Sequence, residues 1–372
     1  MNEPGPIKRK SRVSGHAVLV YSLLFFGAFL LLIPFYWMLS NSLKTEAEAS
    51  KVPPTLLPLA SYVEVDGELL EVSLGEVNEA DHTVTVTLKA GEDHPRTGET
   101  LTVAQSEVER KFTPRWANYP ASLKRMNFLD ALANTTVITV LCVVGQILSS
   151  SLVGFGFARF RFRGKNFLFM LMLSTMMLPP QVSMIPLFIL FRNLGMIDTI
   201  WPLVIPMWLG SPFYVFMFRQ FFTQVPEELV EAARIDGATN TMIYWRLMLP
   251  LSGPVIAIVA IYTFMFTWND FLGPLIYLNS PDQRTLTLAL NAFNSNYGVS
   301  DVQLLMAASF VTMLPCIVLF FAAQRLLRAV HRRQRPEENA PEAGRTGAGG
   351  GDVSAVRSRL NLIQTADTDG LV

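Results

Sequence analysis

With only two cysteines and four histidines in 372 residues, the sequence leaves little room for redox or metal chemistry. Cys142 and Cys316 lie inside apolar runs and read as small core hydrophobes, neither a disulfide framework nor metal ligands. His16, His82, His94 and His331 have no neighbours at ligand spacing, so no metal site is expected. There is no GxxxxGK(S/T) phosphate loop, no HExxH and no GxSxG. Gly154-Phe155-Gly156 is an isolated glycine pair that reads as helix packing. No catalytic residue and no cofactor are assigned to this chain, and no nucleic-acid partner is expected. Charge is also scarce: 16% of residues are charged against 51% hydrophobic, with a formal net charge of zero. That balance, with long apolar runs, places the chain in the membrane class.

Six apolar segments are long enough to cross a bilayer, which takes about 20 residues. They are Ala17–Leu39, Asn134–Ala158, Phe167–Phe191, Ile200–Phe222, Val255–Tyr277 and Leu304–Leu327. The first follows a basic start, residues 1–16, but is too long for a signal peptide and lacks a clear small-residue cleavage site, so it is expected to be retained. A short surface helix is expected at Leu123–Asp130. The second span carries Gly145, Ser149, Ser150, Ser151, Gly154 and Gly156, small residues that let membrane helices approach closely. Pro179 and Pro180 sit in the middle of the third span and should kink or break it. Such a break needs protein or water beside it, which points this span to the bundle interior, the alternative being a simple kink. Pro202, Pro206 and Pro212 fall in the fourth span.

Between the first two spans, residues 59–113 change character. YVEVDGELLEVSL, HTVTVTLKA and ETLTVAQSEVERKF alternate apolar and polar residues and are rich in Val and Thr, with turn signals at Asp66-Gly67 and Gly91. They predict a small antiparallel module of four or five strands. Residues 336–372 are Gly-, Ala- and Glu-rich without apolar periodicity and are expected to be a disordered tail. The fold class is therefore an all-α polytopic membrane protein with six transmembrane helices and a small β-rich extracytoplasmic insert. Short-loop charge gives the orientation: Lys and Arg crowd 159–165 and 328–335, whereas 193–199 has none and 278–303 has only Arg284. Both termini and the 223–250 loop are then cytoplasmic.

That loop is polar although apolar spans flank it. Pro226, Glu227 and Glu228 suit a helix start, Ala232 and Ala233 favour helix, and Gly237 allows a sharp turn. Leu229, Ala232, Ala233 and Asp236 are spaced to make one small, flat side. A second short helix should follow, ended by Pro250 and Pro254. The pattern Glu231-Ala232-Ala233, then Gly237, then Leu249-Pro250 resembles the cytoplasmic EAA loop of ABC importer permeases. Leu247 stands where that family usually has isoleucine. The resemblance covers roughly 17–58 and 114–330, so 59–113 interrupts a loop that is normally continuous, between a proline-rich stretch and Asn118-Tyr119.

The resemblance implies that Glu231, Ala232, Ala233, Asp236, Gly237, Leu249 and Pro250 couple the chain to an ATP-binding subunit, and that ATP and Mg belong to that partner. It further implies a second permease subunit, two ATP-binding subunits, an extracytoplasmic solute-binding protein and an inner-membrane location in the lipid bilayer. Trp268-Asn269-Asp270-Phe271 in the fifth span, with the proline-rich third span, is similar to the carbohydrate branch, as in the smaller maltose-type permease. Pro179, Pro180, Trp268, Asn269 and Asp270 are then candidates to line a sugar path, although Asp270 also fits a residue at the span's outer boundary. The insert is either a contact surface for the binding protein or a stabilising addition. Rival readings are a secondary transporter, disfavoured by the absence of repeated halves with buried charges, and a membrane-anchored interaction protein working through the insert.

Overall fold

A computed structural model describes residues 15–50, 54–65, 67–78, 82–89, 97–293 and 301–333. The basic start up to residue 14, the tail from residue 334, Asp66 and Gly91 lie outside the described residues. Residues 1–327 form one unit; within 328–372 only the helical residues 328–333 are described.

Helix α1 (Gly15–Ser42) is apolar all round, as a span facing lipid or another chain must be. Its last residues and the segment after it are tightly tied. Lys44 is buried, donates to Asn41 Oδ1 at 2.7 Å and to the Thr55 carbonyl at 2.5 Å, and lies over the Trp37 ring. Burial pulls its ammonium below the ordinary lysine value, with Glu48 opposing. From the far side of the insert, Asn118 Nδ2 donates to the Ser42 and Lys44 carbonyls at 2.8 and 2.9 Å, and the Tyr119 hydroxyl meets Ser42 Oγ at 2.9 Å.

Between these clamps stands a five-stranded antiparallel sheet: β1 (Leu59–Val65), β2 (Glu68–Asn78), β3 (Thr83–Leu88), β4 (Thr100–Ala104) and β5 (Glu109–Phe112), in the order β4-β3-β2-β1-β5. The period-two alternation puts Val63, Val72, Val84, Val86 and Leu88 in one small core, while Thr83, Thr85 and Thr87 face the other way. Gly67, at φ +83°, makes the β1–β2 turn. Because β5 returns beside β1, Leu59 pairs directly with Phe112, so the module enters and leaves at one point.

Helix α2 (Asn118–Arg125) lies earlier than the expected 123–130 surface helix. Asn127, at φ +48°, breaks the chain, and α3 (Phe128–Arg159) then starts six residues before the predicted second span. Helix α4 (Lys165–Ser174) ends in a 3₁₀ turn, Thr175–Met177, and α5 (Pro180–Asn193) leaves it at 96°. Pro179 is extended and Pro180 opens α5, so the third apolar segment is two helices. The expectation that it lies inside the bundle is not met within this chain: Met177 is 86% exposed and Pro179 and Pro180 are on the surface.

The fourth segment is also interrupted. Helix α6 (Trp201–Val204) gives way to a 3₁₀ stretch, Ile205–Leu209, and Gly210 at φ +81° precedes α7 (Pro212–Gln224). Pro206 and Pro212 cannot donate backbone hydrogen bonds, which accounts for the loosened register. Helix α8 (Glu227–Ile235) follows, then α9 (Asn240–Leu251), α10 (Gly253–Trp268) at 75° to it, α11 (Leu272–Tyr277), α12 (Leu286–Leu290) and α13 (Val302–Arg333). Pro250 does not end its helix. A wide π turn over Ile243–Met248 accommodates it, and the break falls at Ser252. The predicted fifth span stops at Trp268, with α11 as a separate turn. Among the described residues, four helices are long and apolar enough to cross a membrane, or six if each bent pair makes one span.

The loop joining α5 to α6 is fastened to the chain after α11. Asp198, at φ +63°, accepts from the Asn279 and Ser280 amides at 2.8 and 2.9 Å and from the Ser280 hydroxyl. The Ser280 hydroxyl, then the Ser280 and Asn279 amides, hold the Asp198 carboxyl below its ordinary value. A depressed carboxylate pKa contributes stability that is present above the unfolded value and lost as pH falls through the folded one. Asp198→Asn should therefore lower the thermal midpoint of purified protein at pH 7 and flatten its decline below about pH 4.

Candidate functional site

The polar hook between α7 and α10 is seated, not free. Helix α8 buries Val230 fully and tucks Leu229 and Ala233 against a core built by Phe155, Phe218, Phe222, Ile243, Tyr244, Met248, Val255 and Val259. The flat side expected from Leu229, Ala232, Ala233 and Asp236 is thus split. Leu229 and Ala233 turn inward beside Val230, whereas Glu228, Glu231, Ala232, Ile235 and Asp236 form the outer face. Ile235 is 86% exposed, an apolar knob on an otherwise charged and small surface. Helix α8 closes in a Schellman turn: the Gly237 amide donates to the Arg234 carbonyl at 3.0 Å and the Ala238 amide to the Ala233 carbonyl at 2.9 Å, with Gly237 at φ +83°. Thr239 caps α9 by accepting from the Met242 amide at 3.3 Å. Leu249 is half-buried against the same core, while Pro250 is exposed.

Two residues fasten this hook that the sequence did not single out. Arg159, the last residue of α3, donates to the Phe222 and Val225 carbonyls at 2.7 and 2.6 Å, a cation placed where α7's unpaired carbonyls end. The buried Tyr244 hydroxyl meets Ser151 Oγ of α3 at 2.7 Å. A tyrosine in a polar loop and one arginine among four basic residues carry no distinguishing local signal. Through these contacts α8 and α9 are attached to α3, α7 and α10 together.

The other sequence-nominated residues are dispersed. Trp268 is buried among Met126, Leu286, Phe293 and Ala308, stacks on Phe264, and donates to the Thr312 carbonyl at 3.3 Å. Its ring is covered almost completely by these described residues. Asn269 is exposed and donates to the Met265 carbonyl at 2.7 Å, closing α10. Asp270 accepts from the Gly273 amide at 3.1 Å at the start of α11, and its carbonyl accepts from Thr287 at 2.6 Å. Beside it is a cavity of about 20 Å³, lined by Thr135, Thr267 and Thr285 among others, enough for a single water. Pro179 and Pro180 stand at the α4–α5 break, away from that cavity's lining. No group of three or more His, Cys, Asp or Glu suited to a metal occurs among the described residues.

Long apolar helices, two sharply bent helix pairs and a polar hook seated against them define the fold of a polytopic membrane protein. The fold is shared with a chain of a bacterial ABC transporter involved in the import of the acidic polysaccharide alginate: TM-score 0.60 at 20% identity, covering 87% of this chain and 99% of that one. The chain belongs to the family described as binding-protein-dependent transport system inner membrane component, which matches residues 150–335. It is 40% identical over 192 residues to the arabinooligosaccharides transport system permease protein AraQ of Halalkalibacterium halodurans, covering 52% of this chain and 68% of that protein. It is 34% identical over 195 residues to the sn-glycerol-3-phosphate transport system permease protein UgpE of Yersinia enterocolitica, covering 52% and 69%. It is therefore an inner-membrane, multi-pass ABC permease subunit, a member of a transport family and not a catalytic enzyme.

Proposed function

We propose that this chain is the permease subunit of an ATP-driven importer for an oligosaccharide or related carbohydrate. With six spans, the short-loop charge bias supports both termini in the cytoplasm and the insert outside. The chain pairs with a second permease subunit, two ATP-binding subunits that carry ATP and Mg, and an extracytoplasmic solute-binding protein. Closure of the ATP-binding pair draws the α8 hook with it, through an outer face centred on Glu231, Ala232, Ile235 and Asp236. The membrane helices then rock between inward-open and outward-open arrangements.

The observation that carries the coupling is the double character of α8. Its inner side is locked to α3, α7 and α10, while its outer side leaves Ile235 unburied within this chain. An isoleucine so exposed is suited to a partner's cleft. Its sugar preference rests on the permease relative named for arabinooligosaccharides, and the second relative, named for glycerol phosphate, supplies the contrast. The test is reconstitution of the chain with its partners in proteoliposomes. ATP-dependent uptake of an oligosaccharide, stimulated by the binding protein and lost without the ATP-binding subunits, is expected; uptake of glycerol phosphate alone would overturn the sugar assignment.

The insert's role is separable by deletion, because Leu59 and Phe112 are neighbours and the Lys44 and Asn118 clamps lie outside it. Replacing residues 59–112 by a short glycine linker should leave membrane insertion unchanged. If uptake also persists within about twofold, the module is an accessory; a loss of uptake with insertion intact marks it as a contact surface for the binding protein.

A further inference from the structure

Polarity is inverted around the C-terminal end of α1. Ser40, Asn41, Ser42, Lys44 and Glu48 are all buried, whereas Leu56 is 65% exposed, Phe112 63% and Trp116 64%, with Leu57 exposed beside them. A surface that meets water covers its apolar side chains and leaves its charges outside. Here a lysine and a glutamate are inside, and leucines and aromatic rings are outside. The exposed side chains come from two separate stretches, and both are tied to the helix end. The Leu56 carbonyl accepts from the Tyr36 hydroxyl at 3.0 Å and from Ser40 Oγ at 2.6 Å. Phe112 faces Leu59 across the β1–β5 pair, and the Thr113 amide donates to the Pro58 carbonyl at 3.1 Å. The Arg115 amide donates to the Leu43 carbonyl at 2.8 Å, which sets Trp116 beside the end of α1, stacked on Tyr119.

The two hydroxyls also fix a depth. Tyr36 and Ser40 stand six and two residues before Ser42, the last residue of α1. At about 1.5 Å per residue, the Leu56 carbonyl lies roughly 3–9 Å short of the helix end, alongside an apolar stretch of α1. The loop before β1 therefore doubles back along the span instead of leaving it. Tyr36 is itself exposed, so two rings with a polar edge, Tyr36 and Trp116, share this level with the leucines. Side chains of that kind settle where headgroups meet acyl chains.

We propose that the root of the insert is a membrane anchor: Leu56, Leu57, Phe112 and Trp116 sit in the boundary layer of the leaflet that holds the C-terminal end of α1, and keep the sheet against the bilayer surface. The occupant is lipid because the patch continues the exposed apolar surface of α1 and joins leucines to amphipathic rings, the composition of an interfacial segment. The insert is then carried on two supports, the Lys44 and Asn118 clamps within the protein and the lipid outside it. The inference needs α1 to cross a bilayer. It does not depend on the cargo, on the ATP-binding partner or on which side of the membrane the insert faces, so it can fail while the importer reading stands, and the reverse.

The test places a nitroxide label at Leu57→Cys, at Phe112→Cys and, as a control, at Ser106→Cys on the exposed 3₁₀ turn between β4 and β5. The free cysteines Cys142 and Cys316 are replaced by alanine, and the complete transporter is held in lipid nanodiscs. Oxygen concentrates among acyl chains and a neutral nickel chelate in water, so the ratio of their collision rates with the label reports depth. The ratio at residues 57 and 112 should exceed that at residue 106 by about fivefold or more, as for a segment buried at the boundary layer. A ratio equal to the control means that the patch meets water, and overturns the inference. Low collision rates with both reagents mean that another protein covers the patch, and overturn it as well. Should the chain without its native cysteines not assemble, the wild type and Trp116→Phe are compared in lipid brominated on the acyl chains near the headgroup. The emission lost with Trp116 should be quenched by bromine; if that emission is unquenched, the anchor is refuted.

Discussion

Replacing Gly237 by valine is expected to reduce ATP-dependent uptake at least tenfold, with the chain inserted in normal amount. No atom lies within 4 Å of the place a Cβ would occupy, so the effect cannot come from a clash. It comes from the backbone: φ is +83°, a conformation that costs an ordinary residue about 1–2 kcal/mol and a β-branched one more. The cheapest relief is to open the Schellman turn, releasing the Arg234 and Ala233 carbonyls and letting α8 swing relative to α9. The outer face with Glu231 and Ile235 would then no longer be carried rigidly by the core around Val230. Gly237→Asn, which tolerates positive φ, should keep most of the uptake. Comparing the two variants for uptake and for ATPase activity in the same vesicles checks the claim, and equal uptake by the valine variant and wild type would remove the turn from the coupling.

The second large effect is expected two positions from a control that ought to do nothing. A Cβ on Gly154 would lie 2.7 Å from Phe218 Cβ, 3.1 Å from the Arg219 nitrogen and 3.2 Å from the Val215 oxygen. Two of those three are backbone atoms of α7, so no side-chain rotation relieves the contact; the helices must part. Gly154→Val should therefore destabilise by about 1–3 kcal/mol or more and lower the thermal midpoint of the purified protein in detergent by several degrees. Gly156 meets nothing within 4 Å, and Gly156→Val should leave the midpoint within about a degree. The two midpoints measured side by side test the α3–α7 approach directly. The same approach seats Phe218 and Phe222 under the hook, so the Gly154 variant should also weaken uptake.

Much of the architecture was legible in local chemistry. Apolar runs of bilayer length, the Val–Thr alternation of β3, the Ala-rich start of α8 and the positive-φ requirement at Gly237 are all properties of a residue and its near neighbours. The break at Pro179-Pro180 followed for the same reason, since proline removes a donor wherever it stands. Boundaries were less legible: α3 begins at Phe128 because Asn127 adopts a left-handed conformation, which its residue type permits but does not announce. The break at Gly210 could have been suspected from Pro206, Gly210 and Pro212 together, but apolar composition masked it. Which side of α8 faces outward was not legible, because Leu229 and Ala233 turn inward only if Phe218, Ile243 and Tyr244 arrive to cover them. Trp268 and Trp116 are the same residue type in sequence; one is packed among Leu286 and Phe293 and the other stays exposed beside the end of α1.

The sequence by itself determined the membrane class, the strand content of the insert, the helix-turn-helix hook and the kinship that its Glu-Ala-Ala, Gly and Leu-Pro spacing carries, because periodicity, helix propensity and backbone permissiveness act over a few residues. Only the tertiary structure decided which glycine holds two helices together, which arginine fastens the hook and which tryptophan stays uncovered. Those depend on contacts between residues far apart in the chain, such as Gly154 with Phe218, Arg159 with Val225 and Arg115 with Leu43. Burial and close approach belong to pairs of helices, and neither helix encodes them alone.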